Sequence, residues 1–98
     1  MRASLLLAAL LLPALASAAT HVVKIEGMQF APATLVVKQG DKVVWRNADM
    51  VPHTATAAGH FDSRTIAAGA SWTWVAKKGR YDYVCTLHPT MKASLLVE

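Results

Sequence analysis

Three side chains near the end of the sequence, Cys85, His88 and Met91, are spaced three residues apart. A thiolate, an imidazole and a thioether are soft or borderline donors, and such donors suit copper better than magnesium, calcium or manganese. The same stretch also fits a buried cysteine beside a surface histidine and a core methionine. A metal site needs a further ligand from elsewhere in the chain, so the rest of the sequence has to be searched for it.

The stretch lies between two segments that have the pattern of β-strands. Residues 81–85 alternate, and the period of two places Tyr81, Tyr83 and Cys85 on one face. The two tyrosines indicate that this face meets the core, so the thiol is expected to point inward at one end of the fold. We expect Cys85 on this strand, and His88 and Met91 on a tight loop that leads to a second strand at residues 93–97.

Short segments rich in β-branched and aromatic residues recur along the chain, separated by Gly-, Asp- and Lys-containing turns. We expect strands at residues 21–25, 34–37, 43–47, 64–66, 71–75, 81–85 and 93–97. Residues 27–32 and 57–63 are expected to be irregular connections. No segment after the first 18 residues has the 3.6-residue period of a long helix. The pattern predicts an all-β antiparallel sandwich or barrel.

Aromatic residues on the predicted strands are expected to fill the core, Trp45, Trp72 and Trp74 among them. Tyr81 follows Gly79 at a turn, and this arrangement is typical of a tyrosine corner. In such a corner the phenol bonds back to the backbone of a Greek-key connection.

The first 18 residues have the features of a cleavable secretory signal peptide. Arg2 follows the initiating Met1, a Leu- and Ala-rich run covers residues 5–15, and small residues follow at positions 16–18. This run is shorter than the ~18–20 residues that a membrane span requires, so membrane insertion is not expected. We expect cleavage near Ala18, a periplasmic location and one domain at residues 19–98.

Cys85 is the only cysteine of the 98 residues. Small exported domains are often stabilised by disulfides, and a single cysteine cannot form one within its own chain. A bound metal would protect the thiol and cross-link the fold, whereas the alternative is a disulfide between two chains.

The charge of the protein is mildly positive. The formal net charge is +4, and removal of Arg2 with the signal peptide lowers it by one. The charges are scattered except at Lys77, Lys78 and Arg80, which we interpret as a solvated turn. This distribution does not favour nucleic-acid binding.

Of the four histidines, His53 is the best candidate for the remaining ligand. It follows Pro52 where a loop re-enters a strand, and the fixed backbone of proline suits a ring that must be aimed. His60 lies beside Gly59 in an irregular stretch and is interpreted as a surface residue.

The residue pattern of the chain resembles the plastocyanin group of cupredoxins, and its short ligand loop is most similar to that of the amicyanins. The resemblance rests on Phe30-x-Pro32-x-x-Leu35-x-Val37-x-x-Gly40-Asp41-x-Val43-x-Trp45, on Pro52-His53, and on Gly79-x-Tyr81-x-Tyr83-x-Cys85-x-x-His88-x-x-Met91. It covers nearly all of residues 19–98. It implies a small Greek-key β-sandwich that binds one copper ion at one end. The ligands implied are His53, Cys85, His88 and, through a longer axial bond, Met91.

Residues next to the ligands depart from the family pattern. The position after the first ligand, often Asn in the family, fastens the two copper-bearing loops together, and here it is Thr54. Thr86, beside Cys85, offers a second hydroxyl, so a weaker clamp is expected. The predicted supporting residues are Thr54, Thr86 and Asn47.

Two imidazoles and a thiolate with a weak axial thioether form a blue-copper site, which accepts Cu(I) and Cu(II) with little rearrangement. The site has no open coordination position and no acid–base pair, so we do not expect an enzyme. We expect an exported electron-transfer protein, a monomer, that shuttles single electrons between redox partners. The resemblance implies an amine dehydrogenase as the donor and a c-type cytochrome as the acceptor.

We expect electrons to leave through the ring of His88, surrounded by an apolar docking patch of Met50, Pro52, Leu87 and Pro89. A charged rim would steer a transient partner to this patch. The rim candidates are Arg46, Lys92 and the pair Lys77 and Lys78.

Three alternatives remain open at the level of the sequence. A periplasmic copper carrier or copper-buffering protein would use the same four ligands. A nucleophilic Cys-His hydrolase would lack orienting groups and would leave Met91 unexplained. A structural zinc site fits the number of ligands, but methionine is foreign to zinc sites.

Cleavage after Ala18 would create a second candidate site. The new terminus would be Ala19-Thr20-His21, in which an amine, two amides and an imidazole can hold Cu(II) in a square plane. The alternative role of His21 is simply to begin the first strand.

Overall fold

The computed structural model describes residues 17–98, so the signal peptide predicted for residues 1–18 lies, except for its last two residues, outside the described part. Within residues 17–98 the chain forms nine β-strands. They are β1 (Thr20–Glu26), β2 (Gln29–Ala31), β3 (Thr34–Val37), β4 (Lys42–Asn47), β5 (Thr56–Ala57), β6 (Phe61–Asp62), β7 (Ser71–Val75), β8 (Gly79–Cys85) and β9 (His88–Val97). In this range no helix is long and apolar enough to cross a membrane.

The strands form two sheets that enclose one core. The first sheet has the order β2-β1-β4-β7, and the second has the order β3-β9-β8-β5-β6. The inward faces bury mainly aliphatic and aromatic side chains, including Val23, Ile25, Trp45, Tyr83 and Leu95. The predicted all-β sandwich is confirmed.

The sequence pattern predicts antiparallel sheets, but the sheets of the structure also contain parallel pairs. β1 pairs with β4 in parallel, and β3 pairs with β9 in parallel. Parallel neighbours require a crossover connection, and here the chain passes to the other sheet between the paired strands. Strand propensity and turn residues do not encode such crossovers, so the sequence pattern could not reveal them.

β8 has the alternation that the sequence predicts. Tyr81, Tyr83 and Cys85 are buried, and Asp82 between the tyrosines is exposed. The phenol of Tyr81 donates to the carbonyl oxygen of Lys77 at 2.8 Å, which confirms the tyrosine corner. The strand therefore delivers the Cys85 thiol into the interior at its last residue.

The three tryptophans pack in the core as predicted. Trp45 is fully buried, and its ring centroid lies 5.4 Å from that of Tyr83 and 5.5 Å from that of Trp72. Trp72 and Trp74 on β7 are half-buried and pack against the same cluster. These large side chains supply apolar burial that a domain of this size needs.

Three short strands appear where the sequence predicted irregular connections. β2 pairs with β1 through a two-residue turn, Gly27 and Met28, in which both residues have positive φ. Such turns match the twist of a hairpin, although Met28 is not a usual turn residue. β5 and β6 pair within the predicted 57–63 connection. The strand predicted at 64–66 was wrong, because only Ile66 forms an isolated bridge there.

β1, β4 and β8 all run toward the same end of the sandwich. β1 and β4 are parallel to each other, and β8 ends at this same end with Cys85. We call the end that holds Glu26, Asn47 and Cys85 the ligand end. The other end, where Thr20, Lys42 and Gly79 lie, is the distal end.

Candidate metal centre

Three donors from two distant parts of the chain converge at the ligand end. The ligand atoms of His53, Cys85 and His88 all lie within 4.8 Å of one another. The Cys85 Sγ atom lies 3.7 Å from Nδ1 of His53 and 3.6 Å from Nδ1 of His88. His53 and Cys85 are fully buried, and His88 is half-buried.

The spacing of these atoms fits a shared metal ion. With metal bonds of about 2.1 Å to nitrogen and 2.3 Å to sulfur, an angle near 120° separates the two donors by ~3.8 Å. The observed N···S distances of 3.7 and 3.6 Å are close to that value. Two imidazoles and one thiolate in a near-trigonal arrangement are the donor set of blue-copper sites.

Met91 is buried in the same hairpin as Cys85 and His88. The hairpin is tighter than expected, because only Thr86 and Leu87 separate β8 from β9. His88 and Met91 therefore lie on β9, and their predicted placement on a loop was wrong. The β8–β9 register shifts between Val84 and Cys85. An irregularity of this kind re-aims side chains, and here Met91 turns inward.

His53 is held by backbone pairing rather than by a regular strand. Its N–H and C=O both bond to Ile66, at 3.2 and 2.7 Å. The buried side chain of Asn47 supports the preceding loop, because its amide donates to the carbonyl oxygens of Val51 and Ile66, each at 2.9 Å. The side-chain oxygen of Asn47, Oδ1, accepts the N–H of Asp49 at 2.9 Å. The predicted supporting role of Asn47 is thus exerted on the backbone around His53.

The carboxylate of Asp49 contacts the outer nitrogen of His53, a contact that the sequence analysis missed. His53 Nε2 lies 2.8 Å from Asp49 Oδ2. Donation of the Nε2 proton to a carboxylate leaves Nδ1 unprotonated and directed at the thiol, as a metal ligand requires. The only sequence signal was an aspartate four residues before the candidate histidine.

The Asp49 carboxylate is itself fixed by the β1–β2 turn. It accepts the N–H of Gly27 at 2.7 Å and the N–H of Met28 at 3.0 Å. The pKa of Asp49 is lowered, chiefly by the Met28 N–H, with the bond to His53 also contributing. Asp49 is therefore an anion that joins the turn to the ligand.

Thr54 and Thr86 contact each other across the two ligand segments. Their hydroxyl oxygens are 3.0 Å apart, and the N–H of Thr86 donates to the Thr54 hydroxyl at 2.9 Å. The N–H of Thr54 points at Cys85 Sγ at 3.4 Å. A hydrogen bond to the sulfur stabilises the thiolate and tunes a metal bound to it.

Apolar side chains are exposed around the two histidines. Met50 is 94% exposed and Leu87 is 49% exposed, while Pro52 and Pro89 are exposed on either side of the centre. The sequence analysis did not include Met28 and Val51 in this set, although both are also exposed. Val51 lies between Met50 and Pro52 and could have been included from the sequence alone, whereas Met28 lies on the distant β1–β2 turn.

The charged rim is only partly where we predicted it. Arg46 precedes Asn47 on β4, and Lys92 follows Met91 on β9, so both lie toward the ligand end. Lys77 and Lys78 directly precede β8, which runs seven residues from the distal end to Cys85. The two lysines therefore lie at the distal end. Their assignment to the rim was wrong, because the sequence did not show which end of the strand faces the ligands.

The segment proposed for an N-terminal copper site is attached to Asp41. The backbone N of Ala19 donates to Asp41 Oδ1 at 3.0 Å, and His21 Nε2 lies 2.9 Å from Asp41 Oδ2. The backbone N–H of Ala19 and the imidazole of His21 are thus brought to one carboxylate. Square-planar coordination by residues 19–21 would have to displace both contacts.

Comparisons with known proteins agree with this geometry. A family model described as a cupredoxin-like domain matches residues 2–97. Amicyanin-alpha of Methylorubrum extorquens is 34% identical over 94 residues, which are 85% of this chain and 76% of the relative. Amicyanin of Paracoccus denitrificans is also 34% identical, over 88 residues that are 79% of this chain. The match spans 64% of that relative's length.

Solved structures show the same relationship. A Cu(I) form of an amicyanin point mutant matches with a TM-score of 0.73 and 32% identity, over 86% of each chain. A copper-containing nitrite reductase from Thermus scotoductus matches with a TM-score of 0.75, at 24% identity and over 25% of its chain, and that likeness shows the fold alone. The chain belongs to the cupredoxin family, and its relatives there are amicyanins.

Proposed function

We propose that the protein is a blue-copper electron carrier that holds one copper ion and passes single electrons between redox partners. The observation that supports this most directly is the convergence of His53, Cys85 and His88 within 4.8 Å at one end of the sandwich. Met91, buried in the same hairpin, would supply a thioether as the fourth ligand. When bound, copper supplies the one-electron couple between Cu(I) and Cu(II).

The residues of the chain keep the donors still while the charge of the centre changes. Asp49 fixes the ring of His53, and the Thr54 N–H fixes the Cys85 sulfur. Burial of both donors shields them from water. His88 is half-buried, and its ring is the route by which an electron reaches the surface.

Burial also distinguishes an electron carrier from a copper carrier. A protein that delivers its ion must expose donors to the recipient, and here Cys85 and His53 are fully enclosed, with Met91 only 4% exposed. Only His88 among the four ligands is partly open to solvent. The enclosed centre therefore favours transfer of the electron over delivery of the ion.

We infer the partners from the resemblance to amicyanins and the location from the N-terminal sequence. The relatives are named amicyanins, and that resemblance implies an amine dehydrogenase as the electron donor and a c-type cytochrome as the acceptor. The charged, apolar and small-residue segments of residues 1–18 support export to the periplasm. The docking patch of Met50, Pro52, Leu87 and Pro89 is the surface on which such partners meet the His88 ring.

Electron self-exchange tests this proposal without an identified partner. NMR line broadening in mixtures of the Cu(I) and Cu(II) forms reports the exchange rate, and the variant is Leu87→Asp in the patch. Val22→Asp is the matched control, because Val22 is 51% exposed and Leu87 49%. Val22 lies on β1, on the outer face of the first sheet.

We expect measurable self-exchange in the native protein, slowed strongly by Leu87→Asp and little by Val22→Asp. The new carboxylate would be costly to desolvate when two molecules dock through their patches. It would also repel the same carboxylate on the second molecule. A copper-loaded protein that does not cycle between its two forms would contradict electron transfer. Equal slowing by both variants would contradict the patch.

The accessory copper site at Ala19 and His21 stays a prediction. Titration of the processed protein with Cu(II) would show a second bound ion and a square-planar EPR signal, lost in His21→Gln. A single copper per chain with one spectroscopic species would exclude the site.

A further inference from the structure

Five cationic side chains, far apart in sequence, meet at the distal end. Turn 38–42 and segment 76–80 are joined by two backbone hydrogen bonds, Gly40 N to Ala76 O at 2.9 Å and Ala76 N to Asp41 O at 2.8 Å. The cations on these two segments are Lys38, Lys42, Lys77, Lys78 and Arg80, and we call them the basic pole. The sequence analysis identified only the last three, because the other two lie some 35 residues earlier.

None of these cations is neutralised by a neighbouring acid. Four ion pairs occur within residues 17–98, and they involve His21, Lys24, His53 and Arg64 as the basic partners. All five side chains of the basic pole are exposed. Five uncompensated charges on one end of a small domain repel one another, and an external anion would relieve that repulsion.

The carboxylates at the distal end do not offset the pole. Asp41 is buried and is directed inward, where it accepts from the backbone N–H groups of Ala19 and Lys38 and contacts the ring of His21. Glu98 is exposed, and Asp82 lies two residues along β8 from Arg80 without an ion pair to it. Even counting all three acids, cations exceed anions at this end.

The shape and composition of the basic pole fit a flat anionic layer. Its cations lie on turns between strands or at the strand ends that border these turns. Val36 and Val75, beside them, are 52% and 55% exposed. Flexible cations flanked by aliphatic side chains are the composition of surfaces that lie on lipid headgroups.

The position of the basic pole separates it from the redox surface. β8 runs seven residues from Gly79 at the distal end to Cys85. At about 3.3 Å per residue this strand places the two ends ~20 Å apart. An electron-transfer partner bound at the basic pole would lie at the end opposite to His88. The pole is therefore suited to binding a surface that leaves His88 accessible.

We propose that the basic pole binds the phosphate groups of an anionic phospholipid bilayer, reversibly and without insertion. Each exposed Lys or Arg near such a surface strengthens binding by about fivefold, and salt screens the attraction. Bound in this way, the protein presents its ligand end away from the membrane. Diffusion along the surface would then carry His88 to its redox partners.

Vesicle co-sedimentation tests the proposal with the copper-loaded protein comprising residues 19–98, which contain all nine strands described. The vesicles are phosphatidylcholine with and without phosphatidylglycerol, at low and at physiological salt. The pole variant is Lys77→Gln with Lys78→Gln, which leaves intact the backbone carbonyls that receive the Tyr81 phenol. The matched control, Arg46→Gln with Lys92→Gln, removes the same charge at the ligand end.

We expect binding only with phosphatidylglycerol, weakened by salt and reduced about 25-fold in the pole variant, since two cations are removed. At physiological salt the control should bind within about twofold of the native protein, because its charges then lie beyond the Debye length of ~8 Å from the membrane. NMR line broadening by the vesicles should be strongest for the amides of residues 38–42 and 77–80.

Three results would overturn the proposal. Absence of binding to phosphatidylglycerol vesicles at low salt would exclude a membrane-binding pole. An equal loss of vesicle binding in the two double variants would show that binding depends on the net charge of the protein and not on the basic pole. Binding to poly-glutamate but not to vesicles would assign the pole to an acidic protein instead. Unfolding temperatures of both variants close to that of the native protein verify that the fold is retained.

Discussion

Asp49 connects the first histidine ligand to a turn that belongs to another part of the sheet. Its carboxylate accepts two backbone N–H groups, from Gly27 and Met28, as well as the Nε2 proton of His53. A carboxylate so fixed holds the imidazole in one orientation and one tautomer. We infer that Asp49 contributes to metal affinity although it is not itself a ligand.

Replacement of this carboxylate tests that inference. We expect Asp49→Ala to weaken Cu(II) affinity by about 10- to 100-fold, the usual effect of losing a partner of a ligating histidine. Asp49→Asn keeps an oxygen acceptor and should lose less. Competition with a chelator of known affinity measures the change, and Asp82→Ala, at an exposed acid on β8, is the control. Unchanged affinity in Asp49→Ala would show that backbone pairing alone positions His53.

The hydroxyls of Thr54 and Thr86 link the two segments that carry the ligands. Thr54 Oγ1 contacts both the hydroxyl and the N–H of Thr86, so loss of the Thr54 hydroxyl removes both contacts, whereas loss of the Thr86 hydroxyl removes only one. Such a bond contributes about 1 kcal/mol to stability.

A double-mutant cycle of Thr54→Val and Thr86→Val measures this clamp. We expect the two changes to be non-additive by about 0.5–1.5 kcal/mol in denaturant unfolding of the copper-loaded protein. The cycle has an internal control, because the N–H of Thr54 that donates to Cys85 is kept in every variant. Additive losses would mean that the hydroxyls do not interact.

Among the ligands, sequence reasoning succeeded where the pattern is local. Cys85, His88 and Met91 lie within seven residues, and the alternation of β8 indicated that the thiol points inward. His53 is 32 residues from Cys85, and its choice over the other histidines was secured by the family resemblance. Asp49 was missed because its contact depends on the backbone turn of Gly27 and Met28, which no periodicity encodes.

At the scale of the elements, the turn before β8 determines where the ligand strand begins. Gly79 has a φ of +147°, and a Cβ built there would lie 3.1 Å from the phenol oxygen of Tyr81. That phenol donates to Lys77 and closes the tyrosine corner. Glycine is therefore required both by the backbone and by the close approach of the ring.

A pair of glycine substitutions separates these two requirements. Gly59→Ala should cost about 1 kcal/mol, because Gly59 also has positive φ but a Cβ there meets open space. Gly79→Ala should cost roughly 2–4 kcal/mol, because it adds a displaced tyrosine corner to the backbone strain. Denaturant unfolding gives both values. Equal losses would indicate that the contact with Tyr81 relaxes freely.

The long alternating strands were predictable, whereas the short ones and the pairing were not. β3, β4, β7 and the core of β8 begin and end close to their predicted bounds. β5 and β6 have two residues each and are stabilised by neighbours rather than by their own composition. The order of strands in each sheet, including the two parallel pairs, depends on contacts between distant segments and requires the structure.

At the scale of the whole molecule, Asp41 ties the N-terminal residues to the distal turn. The pKa of its carboxyl is lowered from the ordinary 3.8 to about 2, chiefly by the hydrogen bond from His21. Because the folded-state pKa is depressed, the contribution of Asp41 to stability is complete above the unfolded value. It is lost as the pH falls from 3.8 toward 2.

Acid unfolding of the native protein and of Asp41→Asn tests this linkage. We expect Asp41→Asn to be less stable at neutral pH, and the difference between the two proteins to shrink as the pH falls from 3.8 toward about 2. Acid release of copper affects both proteins alike, so the difference isolates Asp41. A difference that does not change across this range would show that the carboxylate contributes only through its shape.

The whole domain is small, and a metal that joins the His53 segment to the β8–β9 hairpin should stabilise it. The visible absorption and EPR spectra of the oxidised, copper-loaded protein examine that metal centre directly. We predict one copper per chain, an intense thiolate-to-copper band in the visible range, and loss of that band in Cys85→Ser. A colourless protein with stoichiometric copper, or an unchanged spectrum in Cys85→Ser, would contradict a centre built on His53, Cys85 and His88.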